Sequence, residues 1–275
     1  MAKRALLVGL NRYPDPENTL RGCLNDIRQV SDLLCMHFGF AADGELELLT
    51  DARATTSAIV NRLHWLLEGA TAGDVLVFHY SGHGSQVRDR HGDELDDGLD
   101  EIICPYDLDW DDPFTDDDFY ALVKDLPEGV NLTVVLDCCH SGTGLRDFPG
   151  GPRPIRERFV RPPSDIDHRP RAERAVRRFG RRASEHGALL IAGCRANQVS
   201  ADAYIDGDYH GALTYYLCKA LGELHYAATY RNLVESVRRL LRHNQFEQVP
   251  QLEGPARLQR GRVFAPQLEA VSLLT

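Results

Sequence analysis

Four short runs of branched apolar residues stand out in the pattern of hydrophobic and polar positions along the chain. Each run is bounded by polar or glycine residues and is too short for a typical helix. This pattern is typical of strands buried on both faces of a parallel sheet. The sequence therefore predicts four such strands, at residues 4–10, 74–80, 132–136 and 188–192.

Amphipathic helices are predicted between and after these strands. Apolar residues recur at helical spacing over 20–34, with Gly39 just beyond, and again over 59–66, where Thr55 or Thr56 can cap the helix. The alternation of strands and helices predicts an α/β fold with a twisted, mostly parallel sheet that carries helices on both faces. Two later helices and a last strand are predicted at 211–224, 229–243 and 251–253.

The length of 275 residues suits one large domain over 1–275. We divide it into a larger part at 1–152, an arginine-rich loop at 153–187 and a smaller part at 188–275. The longest apolar runs are far shorter than the roughly 20 residues of a membrane span, and the run after Arg4 is too short for a secretory signal. Seven cysteines without a C-x-x-C pair argue against a disulfide framework and a zinc knuckle. We expect a cytoplasmic protein with reduced thiols and no membrane association.

Charge is distributed unevenly within a chain of net charge −10. Residues 89–118 hold fourteen acids against one base, a segment that attracts cations or positively charged substrates. Residues 153–182 hold eleven arginines, several prolines and no clear apolar period, so we predict a long exposed loop that a protease can enter. The acidic remainder argues against nucleic-acid binding by the folded body. Binding through the arginine loop is an alternative that would show a steep salt dependence.

Residues with reactive side chains follow two of the predicted strands. His83 lies just after the second strand and Cys139 just after the third. Right-handed crossovers bring the carboxyl ends of parallel strands to one sheet edge, where ligands bind in such folds. A thiol and an imidazole there can act as nucleophile and general base, and flanking glycines let backbone N–H groups face an oxyanion. The alternative is a buried thiol with a hydrogen-bonded core histidine.

Two sequence motifs at these strand ends resemble the catalytic signatures of metacaspases. They are His-Tyr-Ser-Gly-His-Gly at 79–84 and Asp-Cys-Cys-His-Ser-Gly at 137–142. Metacaspases are caspase-like cysteine peptidases of clan CD, family C14, and their prokaryotic members are called orthocaspases. The resemblance implies a caspase-like fold, with Cys139 as nucleophile, His83 as general base or acid, and the N–H groups of Gly84 and Cys139 as the oxyanion hole. The likeness also covers residues 5–11, 20–26, 96–107, 200–202 and 250–252.

The resemblance further implies an acidic pocket for the residue before the scissile bond. Carboxylates at the base of such a pocket select a guanidinium or an ammonium group, so we expect cleavage after Arg or Lys and not after Asp. Taken singly, Asp26 could instead be a solvated helix residue and Asp202 a loop acid. The matching positions are Asp26, Asp137 and Asp202, with Ser81 beside them.

The acidic stretch does not match the ligand pattern of an EF-hand loop. Placing Gly98 at loop position six puts Leu95 at position three and Cys104 at position twelve, where an EF-hand has oxygen ligands. The resemblance implies a different Ca²⁺ site, formed by carboxylates from separate loops. The alternative is a solvated acidic surface in which Asp116 or Asp117 caps a helix. The matching calcium positions are Asp100, Asp116, Asp117 and, with a one-residue shift, Asp147.

Regulation by proteolysis is expected in the arginine-rich loop. An enzyme that cuts after arginine has an obvious substrate in its own residues 153–182, although an upstream activating protease could make the same cut. The resemblance implies a monomer that acts on protein or peptide substrates, with a role in bacterial stress, cell death or antiphage defence by analogy alone. An alternative is an inactive caspase-like scaffold that binds basic segments. A zinc hydrolase is disfavoured, because Cys138, Cys139 and His140 are too close together for one tetrahedral metal.

Overall fold

The structure, a computed structural model, describes residues 1–88, 99–140, 155–164, 180, 183–184, 187–195 and 198–267. Short strands and helices alternate along these residues. The strands are β1 (Lys3–Gly9), β2 (Leu46–Thr50), β3 (Val75–Ser81), β4 (Gly84–Arg88), β5 (Leu99–Ile103), β6 (Asn131–Asp137), β7 (Ile155–Glu157), β8 (Leu189–Ala192), β9 (Ala201–Ile205), β10 (Asp208–Gly211) and β11 (Gln251–Glu253). The helices are α1 (Cys23–Phe38), α2 (Thr56–Leu67), α3 (Asp116–Val123), α4 (Ala212–Glu223), α5 (Tyr230–His243) and α6 (Ala256–Gln259).

A six-stranded sheet in the order β11-β8-β6-β3-β1-β2 forms the centre of the molecule. All neighbouring pairs are parallel except β11 and β8, which are antiparallel. Two small sheets lie beside it, one of β4 and β5 and one in the order β10-β9-β7. The predicted α/β fold with a mostly parallel sheet is therefore confirmed.

Helices cover both faces of the central sheet because successive strand residues point to opposite sides. Leu7 of β1 belongs to an apolar cluster with Ile27 of α1 and with residues of α4 and α5. Leu6 belongs to a second cluster with Leu63 of α2 and Phe119 of α3. Strands β1, β3, β6 and β8 each contribute to both cores, which explains why their sequences are largely apolar without alternation.

All four strands predicted from apolar runs are present, each within one residue of its predicted ends. The first predicted helix starts later than expected, at Cys23, because Leu20 belongs to the preceding loop and its N–H donates to the carbonyl oxygen of Asn11 at 2.8 Å. Thr55, one of the two candidate caps of α2, accepts a hydrogen bond from the N–H of Ala58. In the described part of the chain, no helix has both the length and the apolar character that a bilayer crossing needs.

Candidate active site

The carboxyl ends of β3 and β6 lie side by side in the central sheet. Ser81, the last residue of β3, is paired with Asp137, the last residue of β6. His83 and Cys139 each follow two residues later along the chain. The arrangement of parallel strands thus brings the two motifs to one edge of the sheet, as the sequence predicts.

Two backbone N–H groups converge at this edge on a single oxygen atom. Gly84 and Cys139 each donate to the carbonyl oxygen of Arg158, both at 3.1 Å. Two donors aimed at one carbonyl oxygen can stabilise the negative charge that develops there when the carbonyl carbon is attacked. A Cβ atom at position 84 would overlap the carbonyl oxygen of Cys139, so this approach requires glycine.

His83 is buried and held in one orientation. Its Nε2 lies 2.8 Å from the carbonyl oxygen of Asn18, and its ring centroid lies 4.9 Å from that of Tyr13. Because a carbonyl oxygen only accepts hydrogen bonds, we assign the proton to Nε2, and Nδ1 is then the basic nitrogen. Among the described residues, Nδ1 has no hydrogen-bond partner. Burial, together with the positive charges of Arg156 and Arg158, lowers the pKa of His83 to about 3, so the ring is neutral at pH 7.

The two adjacent cysteines have different surroundings. The Cys139 sulfur accepts a hydrogen bond from the N–H of Ser200 and lies 3.4 Å from the Ser200 carbonyl oxygen. The Cys138 sulfur lies 3.7 Å from Nε2 of His140, whose Nδ1 is 3.1 Å from a carboxylate oxygen of Glu101. Burial and the neighbouring thiol raise the pKa of Cys138 well above its ordinary value, which keeps it protonated. Cys139 is therefore the better candidate for a nucleophile.

An acidic pocket adjoins the two converging N–H groups. Its four polar side chains come from α1, β3, β6 and β9, and none is more than 2% exposed. These residues are distant in sequence, and the fold brings together all four that the family resemblance indicates. They are Asp26, Ser81, Asp137 and Asp202.

The guanidinium group of Arg158 fills this pocket, and the side chain is 0% exposed. Its Nη2 lies 2.9 Å from an oxygen of Asp26 and 3.1 Å from an oxygen of Asp202. Its Nη1 lies 2.7 Å from the Ser81 hydroxyl and 3.4 Å from an oxygen of Asp137. Burial alone would raise the pKa of Asp26, but the charge of the guanidinium and the hydrogen bonds from His210, Ser81 and Arg158 together lower this pKa.

The pocket carboxylates are held in place by further hydrogen bonds. Backbone N–H groups of Arg21 and Gly22 both donate to Asp202 at 2.9 Å. The N–H and the hydroxyl of Thr214 donate to Asp137 at 2.9 and 2.8 Å. Because these donors fix the carboxylates independently of Arg158, the pocket is preorganised for a positively charged group.

The chain on both sides of Arg158 crosses the site in an extended conformation. Before Arg158, strand β7 pairs antiparallel with β9, and the Arg158 N–H donates to the carbonyl oxygen of Ser200 at 3.1 Å. After Arg158, the N–H of Val160 donates to the carbonyl oxygen of Gly84 at 3.0 Å. The prediction of an exposed loop over 153–182 is therefore wrong for residues 155–160, because backbone pairing fixes this segment and the pocket buries Arg158, although the Arg156 side chain stays exposed.

Sequence reasoning missed Arg158, since eleven arginines in one block carry no mark of which one is buried. The available signal is the apolar pair Phe159 and Val160 directly after it, since apolar residues in an otherwise charged loop favour a packed segment. The remaining residues of the predicted loop, apart from 161–164, 180, 183–184 and 187, lie outside the described part of the chain.

Comparison with known proteins identifies the family of this chain. A family model described as "Metacaspase, peptidase C14 domain" matches residues 3–149. Metacaspase-1 of Arabidopsis thaliana is 37% identical and matches 88% of this chain and 65% of its own length. Metacaspase-1 of Pyricularia oryzae is 35% identical over 91% of this chain and 71% of its own length. The chain belongs to the metacaspase family. It is therefore a cysteine-type peptidase, a hydrolase that acts on proteins or peptides.

Solved structures support the caspase-like fold of this metacaspase. Protein GSU0716 from Geobacter sulfurreducens superposes with a TM-score of 0.69 at 25% identity and covers 98% of this chain and 100% of that chain. Caspase-1 from Spodoptera frugiperda superposes with a TM-score of 0.58 at 12% identity, over 92% of this chain and 86% of that one. The second match shows a shared fold alone.

The carboxylates that the family resemblance assigns to calcium lie on β5 and at the start of α3. A bridge between Ile102 and Thr115 brings these two elements together. Asp100 and Asp116 are buried there, and Asp117 is half-buried. Within the described ranges no group of three or more His, Cys, Asp or Glu residues is arranged to hold a metal ion. Asp147 lies outside the described residues, so the full predicted set stays a prediction.

Helix α3 is not capped by either aspartate that the alternative interpretation named. Thr115 is the N-cap residue, its side chain accepts from the N–H of Asp118, and the Asp118 carboxylate accepts from the N–H of Thr115 in return. The prediction of a cap at Asp116 or Asp117 is therefore wrong. Because this capping box already satisfies the helix start, neither aspartate is needed as a cap.

Proposed function

We propose that the chain is a cysteine endopeptidase that cleaves after arginine through Cys139 and His83. The observation that carries this proposal is the position of Arg158. Its guanidinium lies among the pocket carboxylates while its carbonyl oxygen accepts hydrogen bonds from two backbone N–H groups. These two contacts of one residue support cleavage after arginine, because such cleavage requires the side chain in a specificity pocket and the carbonyl oxygen at an oxyanion hole.

In the proposed reaction the Cys139 sulfur attacks the carbonyl carbon before the scissile bond, and Nδ1 of His83 takes the thiol proton. The N–H groups of Gly84 and Cys139 stabilise the oxyanion. His83 then gives the proton to the leaving nitrogen as the C–N bond breaks, and a thioester on Cys139 remains. Water attacks the thioester with His83 as base, which releases the acid product and restores the thiol.

The pocket supports a preference for arginine over lysine. The two terminal nitrogens of Arg158 contact three carboxylates and the Ser81 hydroxyl, and Nη1 also lies 3.0 Å from the backbone carbonyl oxygen of Asp137. A planar guanidinium can make these contacts at once, whereas an ammonium group offers three donors from one nitrogen. An aspartate side chain would face three like charges, so we expect the order Arg, then Lys, with Asp rejected.

The same arrangement would inhibit the intact chain. A substrate arginine cannot enter the pocket while Arg158 occupies it. We therefore propose that cleavage of the Arg158–Phe159 bond, by this enzyme or by an upstream protease, is the activating step. This bond lies within the arginine-rich loop that the sequence marks as the place of cleavage.

We also propose that Ca²⁺ stimulates this enzyme by binding at the acidic stretch. The support is the bridge between β5 and α3, which places the buried carboxylates Asp100 and Asp116 and the half-buried Asp117 on two adjoining elements. Hard carboxylate oxygens from separate segments suit Ca²⁺, which tolerates irregular coordination. When bound, the ion would neutralise the negative charge of these carboxylates.

The proposed function is tested with matched fluorogenic peptides ending in Arg, Lys or Asp, each with Ca²⁺ or a chelator. After preincubation we expect the wild-type chain to cleave the Arg peptide fastest and Cys139→Ala to cleave none. Cleavage after Asp, or activity that survives Cys139→Ala, would overturn the assignment. If nothing is cleaved even after an added protease has cut behind Arg158, the alternative of an inactive scaffold that binds basic segments is favoured.

Mass spectrometry of the chain incubated with Ca²⁺ tests the activating step. We expect a new fragment that ends at Arg158 in the wild type and none in Cys139→Ala. Mixing a small amount of active enzyme with Cys139→Ala shows whether one molecule cuts another. An intact chain in every sample would contradict self-cleavage and leave an upstream protease as the agent.

A further inference from the structure

The outer edge of β4 contacts the residues that follow the Arg158–Phe159 bond. On its inner side β4 pairs with β5, while on its outer side Gly84 forms a parallel bridge with Phe159. The Gly84 N–H donates to the carbonyl oxygen of Arg158 and its carbonyl oxygen accepts from the N–H of Val160. Both backbone polar groups of Gly84 are thus bonded to the segment, one on each side of Phe159.

A side chain extends this contact by one residue. The Ser85 hydroxyl donates to the carbonyl oxygen of Val160 at 2.6 Å, and Ser85 is completely buried beneath the segment. The Val160 side chain packs against the apolar cluster that contains β1, α2 and α3 residues. The Phe159 side chain, like that of Val160, is half-buried.

These contacts have the form of an added β-strand. A peptide that pairs with an exposed strand edge gains affinity through its main-chain hydrogen bonds, and pockets for individual side chains add specificity. Here the main chain on both sides of the bond is bonded at the edge, and the second residue after the bond inserts its side chain.

We infer that the edge formed by Gly84 and Ser85 is a binding site for the two residues that follow the cut bond in a peptide substrate. It takes an extended segment whose second residue has a free N–H and a small apolar side chain such as valine. This inference rests on the proposed function, because it assigns to substrates the path that the chain's own segment takes. With this site, the specificity of the enzyme depends on substrate residues both before and after the cut bond. Ser85 is then a specificity-determining residue.

The experiment compares two arginine substrates of the activated full-length chain. One is an internally quenched peptide with the sequence Ile-Arg-Glu-Arg-Phe-Val-Arg-Pro, taken from residues 155–162. The other is Ile-Arg-Glu-Arg coupled to aminomethylcoumarin, which has no residues after the cut bond. We expect Ser85→Ala to lower the ratio of the two kcat/KM values about fivefold, because one hydrogen bond to the longer substrate is lost. Ser57→Ala, an exposed serine on α2, is the matched control and leaves the ratio unchanged.

Changes in the substrate test the same site without altering the enzyme. Replacing the valine of the quenched peptide with proline removes the N–H that pairs with Gly84, and we expect kcat/KM to fall more than about tenfold. An equal loss for both substrates in Ser85→Ala would show a structural defect. An unchanged ratio together with tolerance of proline would overturn the inference.

Failure of the proposed function gives a different result. In that case neither arginine substrate is cleaved, and the edge is judged by hydrogen exchange in the intact Cys139→Ala chain. Protection of the Val160 amide that is lost with Ser85→Ala on the same background keeps the edge as a peptide-binding site. An unprotected Val160 amide would overturn it.

Discussion

The chain gathers carboxylates in two places, which differ in how they are assembled. The acidic stretch places fourteen acids within residues 89–118. The pocket has only Asp26, Asp137 and Asp202, drawn from α1, β6 and β9, yet these three surround a buried guanidinium. The site seen to hold a positive charge is thus the one with fewer carboxylates and no local sequence signature.

This difference shows that a positive charge is held by carboxylates that the fold brings together in a buried pocket, and that a high density of carboxylates along the sequence matters less. Adjacent carboxylates that face water are screened, and repulsion between them is weak. Carboxylates brought together without water attract a cation strongly, and their own charges are costly unless a cation is present. The pocket therefore requires a cation, whereas the exposed acids of the acidic stretch, such as Asp109, do not.

Removing one pocket carboxylate should produce the largest effect. Asp26→Asn leaves the buried guanidinium with fewer negative neighbours, so we expect the Cys139→Ala chain to lose about 3–5 kcal/mol in unfolding free energy. Urea denaturation measures it, and cleavage of Arg peptides in the active chain should fall by roughly 10²-fold or more. Asp32→Asn, an exposed aspartate on the same helix, is the control and should change stability by less than about 0.5 kcal/mol. Equal effects of the two variants would remove the distinction between buried and exposed carboxylates.

Acid should weaken the fold next to the pocket. Burial lowers the pKa of His79 from its ordinary value of 6.5 to about 4, despite the nearby charges of Asp26 and Asp137. Below pH 6.5 the unfolded chain binds a proton that the folded chain does not, so stability falls as the pH drops from 6.5 to 4, by about 3 kcal/mol from this group. His79→Gln keeps a partner for Thr214 and should lose this part of the pH dependence.

Urea titrations of the Cys139→Ala chain, with and without His79→Gln, at several pH values between 7 and 4 measure this difference. The two unfolding free energies should differ by a constant amount above pH 6.5 and approach or cross below it. Parallel curves throughout the range would show that His79 is protonated equally in both states, which contradicts its burial as a neutral ring.

The acidic stretch should respond to calcium more weakly. Asp117→Asn removes one negative charge from the predicted site, and we expect the Ca²⁺ concentration for half-maximal stimulation to rise on the order of tenfold. Asp109→Asn, an exposed acid in the same stretch, is the control and should leave this concentration nearly unchanged. If both variants act alike, the stretch is a diffuse negative surface and the comparison with the pocket becomes sharper.

The smallest effect is expected at the helix start within the same stretch. Thr115→Ala removes the side-chain oxygen that accepts from the N–H of Asp118, which should destabilise the Cys139→Ala chain by about 1 kcal/mol. Thermal or urea denaturation in the presence of a chelator measures this loss. Thr115→Ser keeps the hydroxyl and should restore most of the stability. A loss that Thr115→Ser does not recover would contradict the cap as the cause.

Much of the central sheet could be predicted from the sequence because its strands are buried on both faces. Strand β2 (Leu46–Thr50) could not, since it lies at the sheet edge, mixes glutamate with leucine and is only partly buried. Strands β7, β9 and β10 were missed for another reason. They are three to five residues long and owe their conformation to pairing between distant segments, which no local pattern reports.

The catalytic pair, the pocket aspartates and Arg158 could be predicted from the sequence to different extents. Physical reasoning about parallel strand ends placed His83 and Cys139 at one edge, and the structure agrees. The pocket aspartates came from the family resemblance, because nothing local distinguishes Asp26 or Asp202 from a surface acid. Arg158 escaped both approaches, since its burial depends on the whole arrangement of β7, β9 and the pocket.

The short pairing between β7 and β9 has a consequence for how soon the site becomes free after the chain is cut. Hydrolysis behind Arg158 would turn its carbonyl group into a carboxylate, which the N–H groups of Gly84 and Cys139 would hold more strongly than before. The new chain end would also keep its three pairs of residues with β9 and its guanidinium in the pocket. Breaking the bond and vacating the site are thus separate events, so the enzyme would have a built-in delay set by the dissociation of its own product.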